Sequence, residues 1–273
     1  MLSKSKIKLI RSLEKKKERK ETGLFVAEGP KVVGDLLEAG FQPRLLIATE
    51  EWATQNAQAI SSCEEFCNIT DEELRKVSFL QHPQQVLAIF YMPEHPLPLL
   101  QGKESPAVLK GEEGELLKRE LVLALDGVQD PGNLGTIIRI ADWFGITHIF
   151  CSTDTADAYN PKVVQATMGS LARVKIVFTD LPQLIDALPH DIPIYGTMLN
   201  GDDIYSQPLQ PHGLLIMGNE GNGLSHDVAR RVNRRLFIPN FPPGRETADS
   251  LNVAVATAVA CAEFRRQQGR RKN

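Results

Sequence analysis

The sequence predicts an α/β protein in which a small α/β domain precedes a larger domain built on a mostly parallel sheet. Strand-like and helix-like segments alternate over the first 92 residues and again from residue 120 onward. In the second region the strands read as continuous apolar runs, which is typical of parallel sheets covered on both faces. A stretch dense in Pro, Gly and charge separates the two regions. These features predict domains at 1–95 and 119–268, a linker at 96–118 and a basic tail at 269–273.

The composition limits the class of protein. A hydrophobic content of 42% over 273 residues is enough for a packed core, and no apolar run approaches the ~20 residues that span a membrane. The N-terminus has no apolar segment of the kind that a secretory signal needs. The four cysteines, at positions 63, 67, 151 and 261, lack the spacing of a zinc site, so we expect no metal. Reduced thiols without a signal predict a cytoplasmic protein.

The charge is unevenly distributed along the chain. Residues 1–20 contain nine Lys or Arg and two Glu, so this segment carries +7 and the remaining residues carry −10 of the formal net −3. Ile7, Ile10 and Leu13 recur at helical spacing, which predicts one amphipathic basic helix over residues 3–20. Basic ends on an acidic body indicate contacts to nucleic-acid phosphates, although lysines on a solvated helix also serve solubility alone.

In the small domain, Gly and Pro separate the predicted elements. Gly29 and Pro30 close the first strand, and Thr70 followed by Glu73 is a capping pattern that opens a helix at Asp71. In chain order the predicted segments are a strand at 24–28, a helix at 32–38, a strand at 44–48, a helix at 52–60, a strand at 66–69, a helix at 71–76 and a strand at 86–91.

In the large domain, apolar strands alternate with helices up to a final helix rich in Ala and Val. Small apolar side chains on every side of that helix predict burial on all of its faces. The predicted strands are 121–126, 148–152, 174–178, 193–198, 213–218 and 235–239, and the helices are 134–144, 162–171, 182–188, 225–232 and the final segment through Ala260.

Three polar loops follow strands of the large domain, at the carboxyl ends where ligands bind in open α/β sheets. The first loop runs from Asp126 to Gly135 and enters a helix that carries Arg139. Asn133 is a candidate cap for this helix. The alternative interpretation is a surface Arg139 beside a simple helix cap.

The second loop, Gly218 to Ser225, spaces its glycines at i, i+3 and i+5. This spacing differs from the dinucleotide fingerprint, and no Gly-Lys-Ser/Thr is present, which argues against NAD-dependent oxidoreductases and P-loop proteins. Glu220 would repel phosphate, so the loop suits a ligand that is neutral or cationic near this carboxylate. A plain turn with Ser225 as a helix cap is the alternative.

The third loop follows Ile238-Pro239 and enters the final helix through Ser250, Leu251 and Asn252. Pro239 has no N–H with which to continue a strand ladder. Ser250 and Asn252 are candidate site residues or plain helix caps. Three such loops at strand ends together indicate a binding site.

These residues resemble the three motifs of the SpoU (TrmH-like) family of SPOUT RNA 2′-O-ribose methyltransferases. The motifs are Asn133-x-Gly135-x3-Arg139, Gly218-x-Glu220-Gly-x-Gly223, and Ile238-Pro239 with Ser250-Leu251-Asn252-Val253. They stand in family order within residues 120–268, about half of the chain. The segments FVAEGPKVV and VLAIFYMP are similar to the small ribosomal-protein-like domain that binds RNA in many members.

The resemblance implies transfer of a methyl group from S-adenosylmethionine to a ribose 2′-OH in structured RNA, rRNA rather than tRNA. It also implies a homodimer whose catalytic domain ends in a trefoil knot. Arg139 would be the central catalytic residue, supported by Asn133, Glu220, Ser250 and Asn252. The residues implied for the cofactor, largely through their backbone, are Thr197, Met198, Leu199, Gly218, Ile238 and Leu251.

Two features of the sequence complicate the assignment of the family's site residues to this chain. The stretch Asn240–Asp249 is longer than its counterpart in family members. In addition, the three loops hold no His or Cys to accept the 2′-OH proton. We expect Arg139 to bind phosphate and stabilise the alkoxide, because a guanidinium stays charged near neutral pH. A non-catalytic RNA-binding or ribosome-assembly factor that retains the fold is the alternative.

Overall fold

The structure is a computed structural model that describes residues 2–93, 112–242, 245, 248 and 250–270. In chain order the first elements are α1 (Lys4–Ser12), α2 (Lys16–Thr22), β1 (Leu24–Glu28), α3 (Pro30–Glu38), β2 (Pro43–Ala48), α4 (Glu50–Gln55), α5 (Ala57–Ser62), β3 (Glu65–Asn68), α6 (Asp71–Val77) and β4 (Val86–Tyr91). The next are α7 (Glu112–Arg119), β5 (Leu121–Asp126), α8 (Pro131–Trp143), β6 (His148–Cys151), α9 (Pro161–Ala166), a 3₁₀ turn (Ser170–Ala172), β7 (Lys175–Phe178) and α10 (Leu181–Ala187). The last are β8 (Ile194–Asp203), β9 (Gly213–Gly218), α11 (His226–Ala229), β10 (Arg234–Phe237) and α12 (Val253–Arg270).

The described residues divide into two units. Residues 2–93 and 157–173 form the N-terminal unit, and residues 112–156 and 174–270 form the C-terminal unit. The N-terminal unit therefore contains a segment, 157–173, that comes from the second half of the chain. The domain boundaries at residues 95 and 119 remain predictions from the sequence. Residues 96–111 of the predicted linker and 271–273 of the predicted tail lie outside the described residues.

The N-terminal unit has a four-stranded mixed sheet in the order β1-β4-β2-β3. β4 is antiparallel to β1 and β2, and β2 is parallel to β3. Side chains of β1 alternate between the two faces, so Leu24 and Val26 join a core that also buries Ile10 and Leu13. The capping box of Thr70 and Glu73 at the start of α6 is present as predicted.

The basic N-terminal segment forms two helices, so the prediction of one helix over residues 3–20 was wrong. The Arg19 guanidinium, which is 1% exposed, donates to the carbonyl oxygens of Leu13 at 2.7 Å and Glu14 at 2.8 Å. These two carbonyls lie in the turn between α1 and α2 and would otherwise lack helical donors. Arg19 therefore stabilises the break, and nothing in the local periodicity of the sequence shows it.

The segment 157–173 is held to the rest of the N-terminal unit at both of its ends. Arg19 Nη2 lies 2.6 Å from Asp157 Oδ2, and Arg173 Nη1 lies 3.1 Å from Asp35 Oδ2. Between these ion pairs, the Tyr159 ring packs against the Phe25 ring with centroids 4.9 Å apart. The segment thus covers the face of β1 opposite to the Leu24 side.

The helix predicted over residues 162–171 is shorter in the structure. α9 ends at Ala166, and the chain then turns at Met168 and Gly169, whose φ angles are 52° and 93°. Positive φ lies outside the right-handed helical region, so the helix cannot continue through these residues.

The C-terminal unit is built on six parallel strands in the order β10-β8-β9-β5-β6-β7. This confirms the predicted α/β class with a mostly parallel sheet. A core of side chains from the strands and from α10 includes Leu117 of α7, so the last part of the predicted linker packs within this unit.

The composition of the final helix, α12, predicted burial on all of its faces. Within the described part of one chain this prediction was wrong. Ala260, Cys261 and Phe264 are buried, but Val255 is 50% exposed and Ala262 is exposed as well. In the part of the chain that the structure describes, an Ala/Val surface therefore remains uncovered on α12.

Candidate active site

The carboxyl edge of the sheet places two of the three loops side by side. β5 and β9 are neighbouring parallel strands, and Asp126 at the end of β5 is the ladder partner of Gly218 at the end of β9. The loops that follow these two residues therefore start next to each other. The third loop leaves β10, which only β8 separates from β9.

Side chains from all three loops form one hydrogen-bonded chain. Asn133 Nδ2 donates to Glu220 Oε1 at 2.7 Å, and Asn252 Nδ2 donates to Asn133 Oδ1 at 3.0 Å. Asn252 Oδ1 in turn accepts from the backbone N–H groups of Ala254 and Val255 in the first turn of α12. The structure thus brings together three of the predicted catalytic residues.

The cap of α8 is Asp130, so the prediction that Asn133 caps this helix was wrong. Asp130 Oδ1 accepts from the backbone N–H of Asn133 at 2.7 Å. Because Asp130 satisfies this donor, the Asn133 side chain is free to bind Glu220 and Asn252. Asp, Asn and Ser are all good caps, so the sequence alone does not distinguish the two positions.

Asn219 holds the loop that carries Glu220. Its Nδ2 donates to the carbonyl of Gly127 at 2.8 Å, and its Oδ1 accepts from the N–H groups of Gly221 at 2.9 Å and Asn222 at 3.1 Å. A Cβ on Gly218 would lie 2.3 Å from the backbone of Gly223, so this close turn needs glycine. The side chain of Asn219, which sequence reasoning missed, therefore ties the Glu220 loop to the loop after β5.

Two further polar residues at strand ends support the same edge. Asp126, 7% exposed, accepts from the N–H of Ser225 at 2.7 Å, and Ser152 Oγ accepts from the N–H of Gly127 at 2.8 Å. Ser152 Oγ also donates to Asp154 Oδ1 at 2.6 Å. A polar residue placed directly after an apolar strand is the sequence signal that could have identified both positions.

Arg139 stands apart from this chain of hydrogen bonds. It is exposed, and the described part of the molecule offers it no hydrogen-bond or ion-pair partner. The exposed positions of α8 recur at helical spacing, so Arg139 shares one face with Thr136 and Trp143. Trp143 is 85% exposed. The guanidinium is therefore free to meet an anion from solution.

The residues predicted to hold the cofactor lie at the same carboxyl edge. The pairing of β10 with β8 passes from Gly196 directly to Asp202, so residues 197–201 leave the ladder between these strands. Thr197 and Met198 are half-buried there, whereas Leu199 is 72% exposed. The remaining three are placed as follows: Gly218 is buried, Ile238 is half-buried and Leu251 is 50% exposed.

Ser250 is exposed and takes no part in the Glu220–Asn133–Asn252 chain. In the longer stretch predicted at 240–249, residues 243, 244, 246, 247 and 249 lie outside the described residues. In the described part, Asn240 Nδ2 donates to the carbonyl of Arg245 at 3.3 Å.

The thiols of the C-terminal unit are not suited to nucleophilic chemistry. Burial raises the pKa of Cys151 above its ordinary value and raises the pKa of Cys261 to about 12. Both therefore stay protonated near neutral pH. Among residues 2–93, 112–242 and 250–270, no three His, Cys, Asp or Glu side chains are grouped to hold a metal ion, and no described helix is long and apolar enough to cross a membrane.

Comparison with known proteins matches both parts of the chain. Residues 120–262 match the SpoU rRNA Methylase family, and residues 4–88 match the MRM3-like substrate binding domain. One relative, the 23S rRNA (guanosine(2553)-2′-O)-methyltransferase RlmP of Bacillus subtilis (strain 168), is 32% identical, with 93% of each chain covered.

Two solved structures are similar over nearly the whole chain. The AdoMet-bound rRNA methyltransferase from Sinorhizobium meliloti is 31% identical with a TM-score of 0.82, covering 97% of this chain and 96% of that one. The SpoU methyltransferase AviRb from Streptomyces viridochromogenes, in complex with AdoMet, is 25% identical with a TM-score of 0.78, covering 97% and 98%.

Proposed function

The chain belongs to the SpoU rRNA methylase family, and on this premise we propose that it transfers a methyl group from S-adenosylmethionine to a ribose 2′-OH of rRNA. The observation that carries the proposal is the Glu220–Asn133–Asn252 chain, because it joins one side chain from each family motif. The full-length similarity to a 23S rRNA 2′-O-methyltransferase favours rRNA over tRNA.

The carboxyl edge of the sheet fits S-adenosylmethionine. The exposed apolar side chains of Leu199 and Leu251 offer surfaces for adenine, and the half-buried backbone at Thr197, Met198 and Ile238 offers polar groups. The Glu220 carboxylate suits a cationic group. When bound, the cofactor supplies an electrophilic methyl group with a neutral leaving group.

The residues of this chain position the acceptor and balance its charge. Asn133 orients the Glu220 carboxylate through Oε1, which leaves Oε2 to accept a hydrogen bond from the ribose 2′-OH. Arg139 binds the neighbouring phosphate and stabilises the developing 2′-oxyanion. The proton passes to phosphate or water, since the guanidinium stays charged. Ser250 and Asn252 line the entry to α12 beside the reacting groups.

RNA binding is assigned to the N-terminal unit and to the basic tail. The exposed lysines of α1 and α2 surround a core-facing side made by Ile10 and Leu13. This geometry directs their charges to solvent, where they can contact phosphates. The exposed lysines of this segment are Lys4, Lys8, Lys15, Lys16, Lys17 and Lys20.

A homodimer is the proposed assembly, with α8 and α12 as its interface. Trp143 is 85% exposed and Val255 50% exposed, which is unusual for large apolar side chains on packed helices. A second copy of this chain on that face would bury both and would complete the burial predicted for α12. Arg139, one turn from Trp143, would lie beside such an interface. We propose in addition that α12 passes through a knot and that the protein is cytoplasmic.

The dimer is tested by replacing Trp143 with Glu and measuring molar mass by light scattering. We expect the wild type at about twice 30.3 kDa and the Trp143→Glu variant at the monomer mass. Tyr205→Glu is the control, because Tyr205 is 52% exposed but belongs to the β8–β9 connection and to neither α8 nor α12. A monomeric wild type would contradict the assembly.

The proposed reaction is tested by mapping 2′-O-methyl marks on total rRNA from cells with and without the protein. Loss of one mark, with the guanosine equivalent to position 2553 as the first candidate, is the expected result. Identical maps, together with no heat of S-adenosylmethionine binding in calorimetry, would support a non-catalytic RNA-binding factor instead.

A further inference from the structure

A cleft of about 470 Å³ opens along the β10 edge of the C-terminal sheet. Its lining runs along both strands, from Tyr195 and Arg234 at their amino ends to Asp202 and Leu236, which pair next to their carboxyl ends. The cleft therefore lies along the outer edge of the sheet, and β8 separates β10 from β9, whose carboxyl end carries the Glu220 loop. The polar residues lining the cleft are Tyr195, Asp202, Gln207, Gln210, Asn233, Arg234 and Arg235.

The positive charges of Arg234 and Arg235 in this cleft are not neutralised by ion pairs among the described residues. Nearby on and after α11, Arg230 lies 3.0 Å from Asp227 and Arg231 lies 2.6 Å from Asp186. Arg234 and Arg235 are exposed, and neither has an ion-pair partner within the described ranges. Arg234 Nη1 donates to the carbonyl of Asn233 at 3.3 Å. Two consecutive residues of this edge strand thus carry guanidinium groups without an ion-pair partner, one on each side of the strand.

The walls of the cleft are held in place by hydrogen bonds. Gln267 of α12 donates to the carbonyl of Gln207 at 3.0 Å and accepts from the N–H of Leu209 at 3.0 Å. Tyr195 Oη accepts from the N–H of Gln210 at 3.0 Å. A cleft with fixed walls needs little rearrangement before it binds a ligand.

We propose that Arg234 and Arg235 each bind a phosphate of the RNA substrate, as an anchor along the β10 edge of the C-terminal sheet. The proposal rests on the proposed function. The planar guanidinium presents paired donors that match phosphate oxygens, and the volume is in the range of sites that hold a small ligand. An RNA that contacts this edge and the catalytic loops has to extend across the sheet from β10 to β9 and β5, so the anchor selects structured RNA over short fragments.

The test measures RNA affinity of the full-length protein as a function of salt, with an rRNA fragment and fluorescence anisotropy. The Arg234→Gln/Arg235→Gln double variant is expected to lose about 1.4–1.8 from the slope of log affinity against log salt, for two lost phosphate contacts. S-adenosylmethionine affinity is expected to stay within twofold. Asp202→Asn, which removes the one acidic side chain lining the cleft, is expected to tighten RNA binding.

A matched control separates a local contact from a general charge effect. Lys175→Gln removes one exposed positive charge from β7, the opposite edge strand of the same sheet, and is expected to leave the salt slope unchanged. An equal loss of slope in Lys175→Gln would overturn the proposal, because distant charge alone would then explain the effect.

Two further outcomes distinguish the sources of the phosphate and the role of the arginines. Calorimetric binding of inorganic phosphate that the double variant loses, with RNA affinity unchanged, would assign the cleft to a free anion and overturn the RNA anchor. An unchanged salt slope with self-association of the double variant would show that the arginines only protect the sheet edge. If the wild-type protein bound no RNA, the proposed function itself would be contradicted.

Discussion

Asn133 is the residue through which the three loops meet. Its amide donates to Glu220 and accepts from Asn252, and only a side chain with both a donor and an acceptor can do this. An aspartate at this position would face the Glu220 carboxylate without a donor. The motif spacing predicted these three residues as site residues, but their direct contact depends on Asp130 taking the cap position, which spacing does not reveal.

Replacing Arg139 tests its separate role. Arg139→Ala is expected to lower the methyl-transfer rate by at least about 10²-fold, because charge stabilisation by one positioned group is worth that much. The S-adenosylmethionine dissociation constant from calorimetry is expected to change less than threefold. Arg119→Ala, an exposed arginine of α7, is the control. Full activity in Arg139→Ala would contradict its role, and near-full activity in Arg139→Lys would show that charge alone suffices.

Glu28 is expected to make the N-terminal unit pH-dependent. This carboxylate is 5% exposed and accepts from the Ser78 hydroxyl and the Phe79 N–H, while burial raises its pKa above the ordinary 4.5. A raised folded-state pKa contributes stability that is complete below the unfolded pKa and is lost as pH rises through the folded pKa.

The measurement is denaturant unfolding of wild type and Glu28→Gln from pH 4.5 to 7. The stability of the wild type relative to Glu28→Gln is expected to fall as pH rises through this window. Glu38→Gln, at an exposed position of α3, is expected to show no such trend. A difference between wild type and Glu28→Gln that does not vary with pH would contradict the assignment.

At the scale of elements, α1 and α2 show where periodicity succeeds and where it fails. The apolar spacing correctly placed Ile10 and Leu13 in the core. It did not reveal the break, because the break depends on the Arg19 side chain bonding to carbonyls of the turn. Deleting residues 1–20 would therefore remove core side chains together with charge.

Charge substitution on α1 and α2 tests RNA binding without disturbing that core. Changing Lys4, Lys8, Lys15 and Lys16 to Gln is expected to reduce the salt slope of RNA binding by about 0.7 per lost phosphate contact. Unfolding midpoints are expected to stay unchanged, because all four side chains are exposed. A salt slope equal to that of the wild type would show that these helices do not contact phosphate.

α12 shows a second limit of sequence patterns. Small apolar residues on all sides indicate burial but not the identity of the covering surface. Val255 is 50% exposed, so the described residues of the same chain do not supply the cover on that side. Its C-terminal half is fixed to the residue that follows α8, because Arg265 Nε donates to the carbonyl of Phe144 at 2.8 Å.

At the scale of the whole molecule, the chain contributes to the N-terminal unit twice. The Pro- and Gly-rich composition near residue 100 predicted one boundary between two domains. The segment 157–173 was not predicted as part of the first, because its ties are between residues 138 positions apart, such as Arg19 with Asp157. Such pairs leave no local pattern in the sequence.

Removing Arg19 tests whether this segment stabilises the N-terminal unit. Arg19→Ala is expected to cost about 3–5 kcal/mol of unfolding free energy, because it leaves Asp157 without its cation and two turn carbonyls without donors. Lys17→Ala, which removes an exposed ion pair with Glu21, is expected to cause no measurable change. Equal unfolding midpoints for the two variants would contradict the role of Arg19.

Methyl transfer to a ribose hydroxyl is tested by position-resolved labelling. Purified protein is incubated with methyl-labelled S-adenosylmethionine and an rRNA fragment, and again with the same fragment carrying a 2′-deoxynucleotide at the labelled position. We expect label on one ribose 2′-oxygen in the first RNA and none in the second. Label on a base, or label that persists in the 2′-deoxy RNA, would contradict it.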